Sequence, residues 1–338
     1  MQSGQIDLRK DIYTIFLIEK YPPELLNFFV HHIPPGFKLV VLEEGTQEEE
    51  NKKMAEADFI VLTSHRLSAQ TIANGRNVRL IQKLGVGTDM IDLKAAATSG
   101  IPVANTGEAS SISVAEHTIL LMLAVYKKLL LAYNNLKFGR WTRFELRLDS
   151  FELFDKKLGI IGLGRIGQEV AKRAKAFGMD INYYDIRRPS PDVEQNLGAN
   201  YLSLPELLAT CDVISLHVRL TEGSKPLIGK DEFKLMKRTG IIINTARAEL
   251  IESEDILIHA LKEKEIAGAG LDVFHREPIT KDNPLLHLEN VVATPHIGAG
   301  TKDSLSRVYR EALNNILRVA NGLMPENVLN PNYRFVKV

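Results

Sequence analysis

Short apolar runs alternate along the chain with segments whose apolar residues recur every three or four positions. In the first hundred residues, this pattern predicts buried strands at residues 13–18, 37–42, 58–62, 80–83 and 101–104. Beyond residue 157 it predicts six more strands, at residues 158–161, 181–184, 212–218, 241–244, 266–274 and 291–294. Because helix-like segments separate these strands, we expect an α/β fold with mostly parallel sheets covered on both faces.

Two helical patterns bear on assembly. Residues 113–136 predict one long helix whose apolar residues cover most of its circumference, which is typical of a helix buried between domains or subunits. The following residues 137–150 contain the only tryptophan, Trp141, and form either an arm exchanged across a dimer or a plain surface loop. A last amphipathic helix is predicted from Thr301, with Gly322 as its stop.

A glycine motif follows the first strand after residue 157. The strand runs into Gly162-Leu163-Gly164-Arg165-Ile166-Gly167, and a helical pattern begins at once. Gly162 permits a tight turn, Gly164 lets the backbone approach a pyrophosphate, and Gly167 lets helix and strand pack closely. The helix that begins at Arg165 and Ile166 offers N–H groups and a positive dipole end to the phosphates. The motif therefore predicts a Rossmann dinucleotide-binding site.

An acidic residue extends this prediction to the choice of cofactor. The next predicted strand ends at Asp185, 18 residues after Gly167. A carboxylate at this place accepts hydrogen bonds from the ribose hydroxyls of NAD and repels the 2′-phosphate of NADP. Arg187 and Arg188 favour NADP if they contact that phosphate, and otherwise they are solvated surface charges. We therefore expect NAD, with NADP possible.

Composition excludes several other classes of protein. The 338 residues suggest two domains, and 42 basic residues balance 42 acidic ones, so no charge excess points to nucleic acid or an anionic membrane. The single cysteine, Cys211, cannot form an internal disulfide, which fits a reducing cytoplasm. The polar N-terminus contains no signal-peptide pattern, and the apolar residues 119–125 are too few to span a bilayer. We expect a cytoplasmic protein without a bound metal.

Three chemically active residues follow predicted strands, where open α/β sheets bind their ligands. Arg247 follows residues 241–244, Glu277 follows residues 266–274, and His296 follows residues 291–294. A guanidinium binds a carboxylate through two hydrogen bonds, and an imidazole exchanges a proton with a hydroxyl while hydride leaves the same carbon. A carboxylate beside the imidazole favours its cationic form. This set suits the oxidation of a 2-hydroxy acid, although each residue alone is more often a solvated polar group.

At these residues the sequence resembles the D-isomer-specific 2-hydroxyacid dehydrogenases. The similarity covers nearly the whole chain and rests on blocks in the family's order: Gly85-Val86-Gly87-Thr88-Asp89, Val114-Ala115-Glu116-His117, the glycine motif, Asn244-Thr245-Ala246-Arg247, Leu271-Asp272-Val273-Phe274 with Glu277-Pro278, and Thr294-Pro295-His296-Ile297-Gly298.

The resemblance implies an architecture and a set of roles. A Rossmann NAD-binding domain, residues 106–299, is inserted into a smaller flavodoxin-like substrate domain, residues 1–105 and 300–338. Arg247, Glu277 and His296 form the catalytic set, and Arg247 and His296 also contact the substrate. Val86 and Gly87 offer N–H groups to the substrate carboxylate, and Asp272 holds the nicotinamide carboxamide. The family habit is a homodimer formed through the long helix.

Three positions distinguish this chain within the family. Ala248 follows Arg247 where glycine is usual, so the local backbone is expected to avoid positive φ. Arg219 stands where proline is usual, near the expected adenosine site. The related formate dehydrogenases have glutamine in place of the catalytic acid, so Glu277 argues against that branch.

These observations lead to one preferred function and two alternatives. The preferred function is an NAD-dependent dehydrogenase of a small 2-hydroxy acid, acting on glyoxylate, hydroxypyruvate or a similar 2-oxo acid. The first alternative is a D-3-phosphoglycerate dehydrogenase, whose relatives place a basic residue beside the loop after the third strand, where this chain has Thr63-Ser64-His65-Arg66. The second is a dinucleotide-sensing interaction protein that resembles the corepressors of this superfamily.

Overall fold

The computed structural model describes residues 12–107, 109–220 and 226–330. By its internal contacts the chain divides into two units, residues 1–110 with 302–338 and residues 111–301. The predicted domains include residues 1–11 and 331–338, which lie outside the described residues.

The first unit begins with alternating strands and helices. In chain order these are β1 (Tyr13–Leu17), α1 (Pro23–Val30), β2 (Phe37–Val41), α2 (Gln47–Glu56), β3 (Phe59–Leu62), α3 (Ala69–Asn74), β4 (Leu80–Lys83), α4 (Leu93–Thr98) and β5 (Val103–Asn105). The strands form a parallel sheet in the order β2-β1-β3-β4-β5, which is the flavodoxin-like order.

Strand residues of this sheet alternate between two apolar layers. Ile15 and Leu17 of β1 pack on one face with Phe29 of α1, whereas Phe16 packs on the other face with Met54 of α2. Side chains of successive strand residues point to opposite faces, so a sheet covered on both sides needs apolar residues at every position. The continuous apolar runs of the sequence are therefore explained by burial of both faces.

The second unit contains the remaining strands. Its elements are α5 (Ser111–Tyr126), α6 (Leu129–Lys137), β6 (Lys157–Ile161), α7 (Arg165–Ala176), β7 (Asp180–Tyr184), α8 (Pro191–Leu197), β8 (Ala199–Tyr201), α9 (Leu204–Thr210), β9 (Val213–Leu216), α10 (Lys230–Leu235), β10 (Ile241–Asn244), α11 (Glu254–Lys262), β11 (Gly268–Leu271) and β12 (Val291–Ala293). Short 3₁₀ helices lie at Glu145–Arg147, Ala248–Leu250 and Pro284–His287. The chain then returns to the first unit with α12 (Lys302–Ala320), whose apolar face packs on the same side of that sheet as α1.

The second sheet has the Rossmann strand order. Its seven parallel strands run β12-β11-β10-β9-β6-β7-β8, so two βαβαβ halves lie on either side of the junction between β6 and β9. The predicted α/β class is confirmed, but the prediction of six strands after residue 157 was wrong by one. The additional strand, β8, has only three residues and the sequence Ala-Asn-Tyr, which contains no apolar run.

The long helix predicted over residues 113–136 is two helices. Lys128 lies between α5 and α6 with φ 52°, in the left-handed region, and ends the first helix. Neither glycine nor proline marks this break in the sequence. Of α5, eleven side chains are buried, whereas Asn135 is the buried side chain of α6, so the two halves have different surroundings.

The described ranges contain neither a candidate membrane span nor a candidate metal site. No helix there is long and apolar enough to cross a bilayer. In the same part of the chain, no group of three or more His, Cys, Asp and Glu residues is arranged to hold a metal ion. Cys211 is buried, and burial raises the pKa of its thiol to about 11.

Candidate active site

The glycine motif forms the turn between β6 and α7, and its three glycines face different surroundings. Gly162 has φ +99°, and a Cβ there would lie 2.8 Å from the His217 carbonyl oxygen. A Cβ on Gly167 would lie 2.2 Å from the Gly162 carbonyl oxygen, so helix and strand approach too closely for any side chain. A Cβ on Gly164, by contrast, would meet no atom within 4 Å. Gly164 therefore borders open space, where the fold places a dinucleotide pyrophosphate.

The first turn of α7 faces the same space. Gly164 is its N-cap residue, and no side chain caps this end of the helix. A helix N-terminus with uncapped N–H groups and the positive end of the dipole suits a phosphate. Arg165 and Ile166, which open the helix, are exposed and half-buried respectively. The residues present therefore fit a dinucleotide.

Asp185 connects the glycine turn to the end of β7. Its Oδ2 accepts a hydrogen bond from the Leu163 N–H at 2.9 Å, and its Oδ1 accepts one from the Arg187 N–H at 2.9 Å. An ionised carboxylate has about four acceptor positions, so both oxygens retain capacity for ribose hydroxyls. Arg188 forms an ion pair with Glu194 at 2.8 Å and lies over the Tyr201 ring, 4.8 Å from its centre.

The three candidate catalytic residues follow three adjacent strands. β10, β11 and β12 are neighbours in one parallel sheet, and their carboxyl ends lie on the same edge. Arg247 follows β10, Glu277 follows β11, and His296 follows β12. The sheet thus brings together residues that are up to 49 positions apart in the sequence.

His296 and Glu277 are in direct contact. The His296 Nδ1 lies 2.8 Å from the Glu277 Oε2, and the Glu277 Oε1 accepts a hydrogen bond from the Phe274 N–H at 3.0 Å. When Nδ1 donates to the carboxylate, Nε2 is left for another partner. His296 has φ 53°, in the left-handed region that non-glycine residues seldom occupy. Backbone in that region is typical of functional sites.

Arg247 contributes positive charge to this pair. Burial raises the pKa of the Glu277 carboxyl, but the hydrogen bonds from His296 and Phe274 and the charge of Arg247 outweigh burial, so the pKa lies below its usual range. Glu277 is therefore ionised at neutral pH. Arg247 has extended backbone, with φ −147°, and its carbonyl accepts a hydrogen bond from the Asn244 side chain at 2.9 Å.

A buried carboxylate supports the loop that carries His296. Asp272 directly follows β11 and is 1% exposed. Its Oδ1 accepts hydrogen bonds from the Ile297 N–H at 2.9 Å and the Thr294 hydroxyl at 2.6 Å, and its Oδ2 accepts one from the Gly298 N–H at 2.8 Å. Asp272 thus binds the chain on both sides of His296. In the structure described here, Asp272 holds this loop, a role that the sequence analysis did not predict.

Two further residues, neither of them predicted from the sequence, support this loop. The His117 Nε2 lies 2.8 Å from the Thr294 Oγ1 and 3.4 Å from the Asp272 Oδ1. The Ser113 hydroxyl donates to the Gly298 carbonyl at 2.7 Å. Both residues lie on α5, and the family block that contains His117 was the available signal. Burial raises the pKa of Asp272, but hydrogen bonds from His117, Thr294 and the backbone outweigh it and keep the pKa low.

The loop after β4 in the first unit presents backbone donors. Gly85 has φ +105°, and its N–H donates to the Thr106 hydroxyl at 2.7 Å. The Asn105 side chain donates to the Val86 carbonyl at 2.9 Å, which fixes the next peptide. Among the described residues, the N–H groups of Val86 and Gly87 have no hydrogen-bond partner. These two donors match the type of contact predicted for a carboxylate.

The family of the chain follows from comparison with known proteins. Residues 119–298, more than half of the chain, match the model of the D-isomer specific 2-hydroxyacid dehydrogenase, NAD binding domain. The chain belongs to this family. The matched segment includes the glycine turn, Asp185 and the three residues after β10, β11 and β12. The second unit of the chain is therefore the family's NAD-binding domain.

Individual members of the family show how far the similarity extends. A D-3-phosphoglycerate dehydrogenase of Methanocaldococcus jannaschii is 44% identical over 290 residues, 85% of this chain and 54% of that protein, so the chain spans about half its length. A glyoxylate reductase of Korarchaeum cryptofilum is 36% identical over 309 residues, covering 90% of this chain and 89% of that protein. A crystal structure of a Thermus thermophilus protein superimposes with a TM-score of 0.82 at 33% identity, over 94% and 99% of the two chains.

Proposed function

We propose that this protein interconverts a small D-2-hydroxy acid and its 2-oxo acid by hydride transfer. The observation that carries the proposal is the His296–Glu277 pair, 2.8 Å apart, with the charge of Arg247 acting on the same carboxylate. A cation, an acid–base group and its anionic partner at one sheet edge suit a substrate with a carboxylate beside a hydroxyl or carbonyl carbon.

Each of the three residues has a separate task in the proposed reaction. The Arg247 guanidinium binds the substrate carboxylate and draws electron density from the adjacent carbonyl. In reduction, the Nε2 of His296 gives its proton to the carbonyl oxygen, and in oxidation it takes the proton of the hydroxyl. The Glu277 carboxylate orients the ring through Nδ1 and stabilises the imidazolium. The nicotinamide, when bound, supplies or accepts the hydride.

The proposed cofactor residues are Gly162, Gly164, Arg165, Ile166 and Gly167. To these we add Asp185 for the adenosine ribose and Asp272 for the nicotinamide carboxamide. NAD is favoured because Asp185 is an acid at the ribose position. Arg188 is engaged by Glu194 and Tyr201, which removes one of the two cations that suit the 2′-phosphate of NADP.

The proposed domain assignment places cofactor binding and substrate binding in different domains. Residues 106–299 bind the cofactor, and residues 1–105 with 300–338 bind the substrate. In the substrate domain, the N–H groups of Val86 and Gly87 bind the substrate carboxylate, and in the cofactor domain Arg247 and His296 are the proposed substrate contacts. The N–H groups of this loop that have no protein partner support that assignment, because they can donate to a ligand without breaking an existing hydrogen bond.

Glyoxylate, hydroxypyruvate and similar small 2-oxo acids are the proposed substrates. The glyoxylate reductase that matches nearly the full length of this chain supports this choice. A D-3-phosphoglycerate dehydrogenase is the second candidate, because one relative of 44% identity has that name and Arg66 lies in the loop after β3.

We also propose a cytoplasmic homodimer. The single cysteine suits a reducing compartment. The α6 helix and the following residues 138–154 expose many large apolar side chains, and exposed apolar patches of this kind usually form protein interfaces. The proposed dimer therefore involves the helical segment that the sequence analysis singled out, together with Trp141.

The test is steady-state oxidation of NADH and NADPH with a panel of 2-oxo acids. His296→Gln should lower kcat by about 10²–10⁴-fold, since it removes the general acid. His259→Gln, at an exposed position of α11 in the same unit, is the matched control and should retain activity. Absence of turnover with every 2-oxo acid, or an unchanged His296→Gln enzyme, would contradict the proposal and favour a sensing role.

A further inference from the structure

The first sheet has a junction at which the chain reverses its direction of winding. From β1 the chain proceeds to the edge strand β2, and it then returns to β3 on the other side of β1. The loops after β1 and β3 therefore leave the sheet on opposite faces, and a crevice forms between them at the carboxyl ends of the strands. In sheets of this order, such a crevice is the usual ligand site.

A carboxylate of the chain itself fills this crevice. Glu19, two residues after β1, accepts hydrogen bonds from the N–H of Thr63 at 2.8 Å and the hydroxyl of Ser64 at 3.0 Å. It also accepts the N–H groups of Ser64 and His65. Successive backbone N–H groups that converge on one point form an anion-binding nest. The loop after β3 is thus built to hold an anion, and Glu19 supplies that anion.

One of the two basic side chains of this loop, that of His65, is also engaged. The His65 Nε2 lies 3.0 Å from the Glu50 Oε2, and Glu50 is 7% exposed. The imidazole therefore has an acidic partner of its own. A second anion that approached this loop would meet two carboxylates, Glu19 and Glu50, and backbone donors that are already occupied.

The nest adjoins the loop proposed to bind the substrate carboxylate. Leu62, at the end of β3, is the sheet partner of Lys83, at the end of β4, and the Leu84 N–H donates to the Leu62 carbonyl at 2.8 Å. Neighbouring strands lie about 4.8 Å apart. The nest therefore starts one strand away from the loop that contains Val86 and Gly87.

Resting on the proposed function, in which Val86 and Gly87 bind the substrate carboxylate, we propose that Glu19 makes this enzyme discriminate against 2-oxo acids with a phosphate at the far end. A phosphate in the crevice would lie against a carboxylate and would find the nest filled. Like charges at close range cost several kcal/mol, so the discrimination comes from repulsion as well as from missing donors. An uncharged hydroxyl at the far end carries no such cost.

Two tyrosines make the surroundings suitable for an uncharged polar group. The Tyr21 hydroxyl is hydrogen-bonded to the Thr63 hydroxyl. Burial, with smaller contributions from Tyr309 and Glu19, raises the pKa of Tyr21, so it remains protonated beside the acid. Tyr309 is 1% exposed, and its hydroxyl has no hydrogen-bond partner among the described residues. The Tyr21 hydroxyl can bind a neutral donor or acceptor, the buried Tyr309 hydroxyl adds no charge, and neither neutralises a phosphate.

The test compares kcat/KM for hydroxypyruvate and 3-phosphohydroxypyruvate in the wild-type enzyme, Glu19→Ala and Glu19→Gln. Wild type should prefer hydroxypyruvate, and Glu19→Ala should raise the relative kcat/KM for the phosphorylated acid by about tenfold or more. Glu19→Gln removes the charge but still occupies the nest, so it should have a smaller effect. If Glu19→Ala does not fold, Glu19→Gln still allows the two substrates to be compared.

Glu49→Ala is the matched control. Glu49 likewise accepts three backbone N–H groups, from Glu43, Glu44 and Gly45, but at the end of the edge strand β2. Glu49→Ala should leave the ratio of kcat/KM for the two substrates unchanged. Three results would overturn the inference. The first is the same kcat/KM ratio for the two substrates in wild type and both Glu19 variants, and the second is an effect of Glu49→Ala equal to that of Glu19→Ala. The third is a wild-type preference for the phosphorylated acid.

A second readout separates this inference from the proposed function. Inorganic phosphate should raise the Tm of Glu19→Ala, in which the nest is vacant, and should leave the Tm of wild type unchanged. If no 2-oxo acid is reduced, the proposed function fails, and the phosphate titration still decides whether Glu19 closes the nest. An equal phosphate effect on wild type and Glu19→Ala would refute that role of Glu19.

Discussion

The Oδ1 of Asp272 lies 2.9 Å from the backbone nitrogen of Ile297, the residue that follows His296. A buried anion thus fixes the peptide next to the proposed acid–base group. The same oxygen accepts the Thr294 hydroxyl, whose oxygen lies 2.8 Å from the His117 Nε2. Because no strand or helix includes His296, side chains rather than regular secondary structure determine where its ring lies.

Asp272→Asn should lower kcat without unfolding the protein. Asparagine has the size of aspartate, but one of its two terminal atoms is a donor, so it cannot accept from Thr294 and Ile297 and also from the Gly298 N–H. A displacement of about 1 Å at a reacting group can cost about 10²-fold in rate, and we expect a loss of that order. The measurement is kcat for 2-oxo acid reduction, together with the Kd of NADH by fluorescence.

Thr294→Val separates the two tasks assigned to Asp272. It removes the hydroxyl that donates to Asp272 and contacts His117, and it leaves the carboxylate available to the nicotinamide carboxamide. If Asp272 acts by positioning His296, Thr294→Val should lower kcat by about tenfold while the Kd of NADH is unchanged. Unchanged kcat in Thr294→Val, combined with a weaker affinity for NADH in Asp272→Asn, would leave the cofactor contact as the sole role of Asp272.

Much of the fold was predictable because buried strands require apolar residues, and these are visible in the sequence. A parallel strand buried on both faces is a nearly continuous apolar run, as in β3 (Phe-Ile-Val-Leu) and in the first three residues of β10 (Ile-Ile-Ile). The glycine motif lies within the segment that matches the family's NAD-binding domain. Gly162 and Gly167 have steric reasons that hold wherever a strand and a helix meet this closely, so the motif is informative on its own.

Other features depend on contacts that are distant in sequence. β8 is recognisable only beside β7, which supplies its hydrogen bonds. The break at Lys128 has no local signal, because lysine is an ordinary helix residue and neither glycine nor proline lies beside it. The Glu19 nest joins residues 44 to 46 positions apart, and neither segment alone indicates it.

Two alanine substitutions in the glycine turn should separate cofactor binding from folding. Gly164 has φ −74°, and an added Cβ meets only open space, so Gly164→Ala should fold normally but raise the Kd of NADH by about tenfold or more. In Gly167→Ala the Cβ would lie 2.2 Å from a carbonyl oxygen, so we expect lower Tm. Calorimetry measures the Tm of each variant, and titration with NADH measures the Kd. Normal NADH affinity in Gly164→Ala would argue against a pyrophosphate at this turn.

The apolar surface of α6 and residues 138–154 should form the dimer interface. Phe138 and Trp141 are 72% and 73% exposed, and Leu148 is 89% exposed. Burying such side chains contributes roughly 25 cal/mol per Å² of apolar area. Phe138→Glu with Trp141→Glu should therefore convert a dimer into a monomer in sedimentation velocity. Leu235→Glu, at another exposed position, is the control. A wild-type monomer, or a double variant that remains dimeric, would contradict this interface.

Asp212→Asn should destabilise the second unit in a pH-dependent manner. Burial raises the pKa of Asp212, but the Lys237 ammonium at 2.8 Å and the Lys157 N–H at 2.8 Å outweigh burial and lower it. A lowered carboxyl pKa stabilises the folded state above the unfolded pKa, and this contribution is lost as the pH falls through the folded value. At pH 7 the variant should lose about 2 kcal/mol, or about 5 °C in Tm. The difference in stability between wild type and Asp212→Asn should narrow below about pH 4, near the ordinary aspartate pKa.

Asp231→Asn is the control. It breaks an exposed pair with Lys234 and should change Tm little. A Tm difference that stays constant from pH 7 to acid would mean that packing, rather than charge, underlies the effect of Asp212.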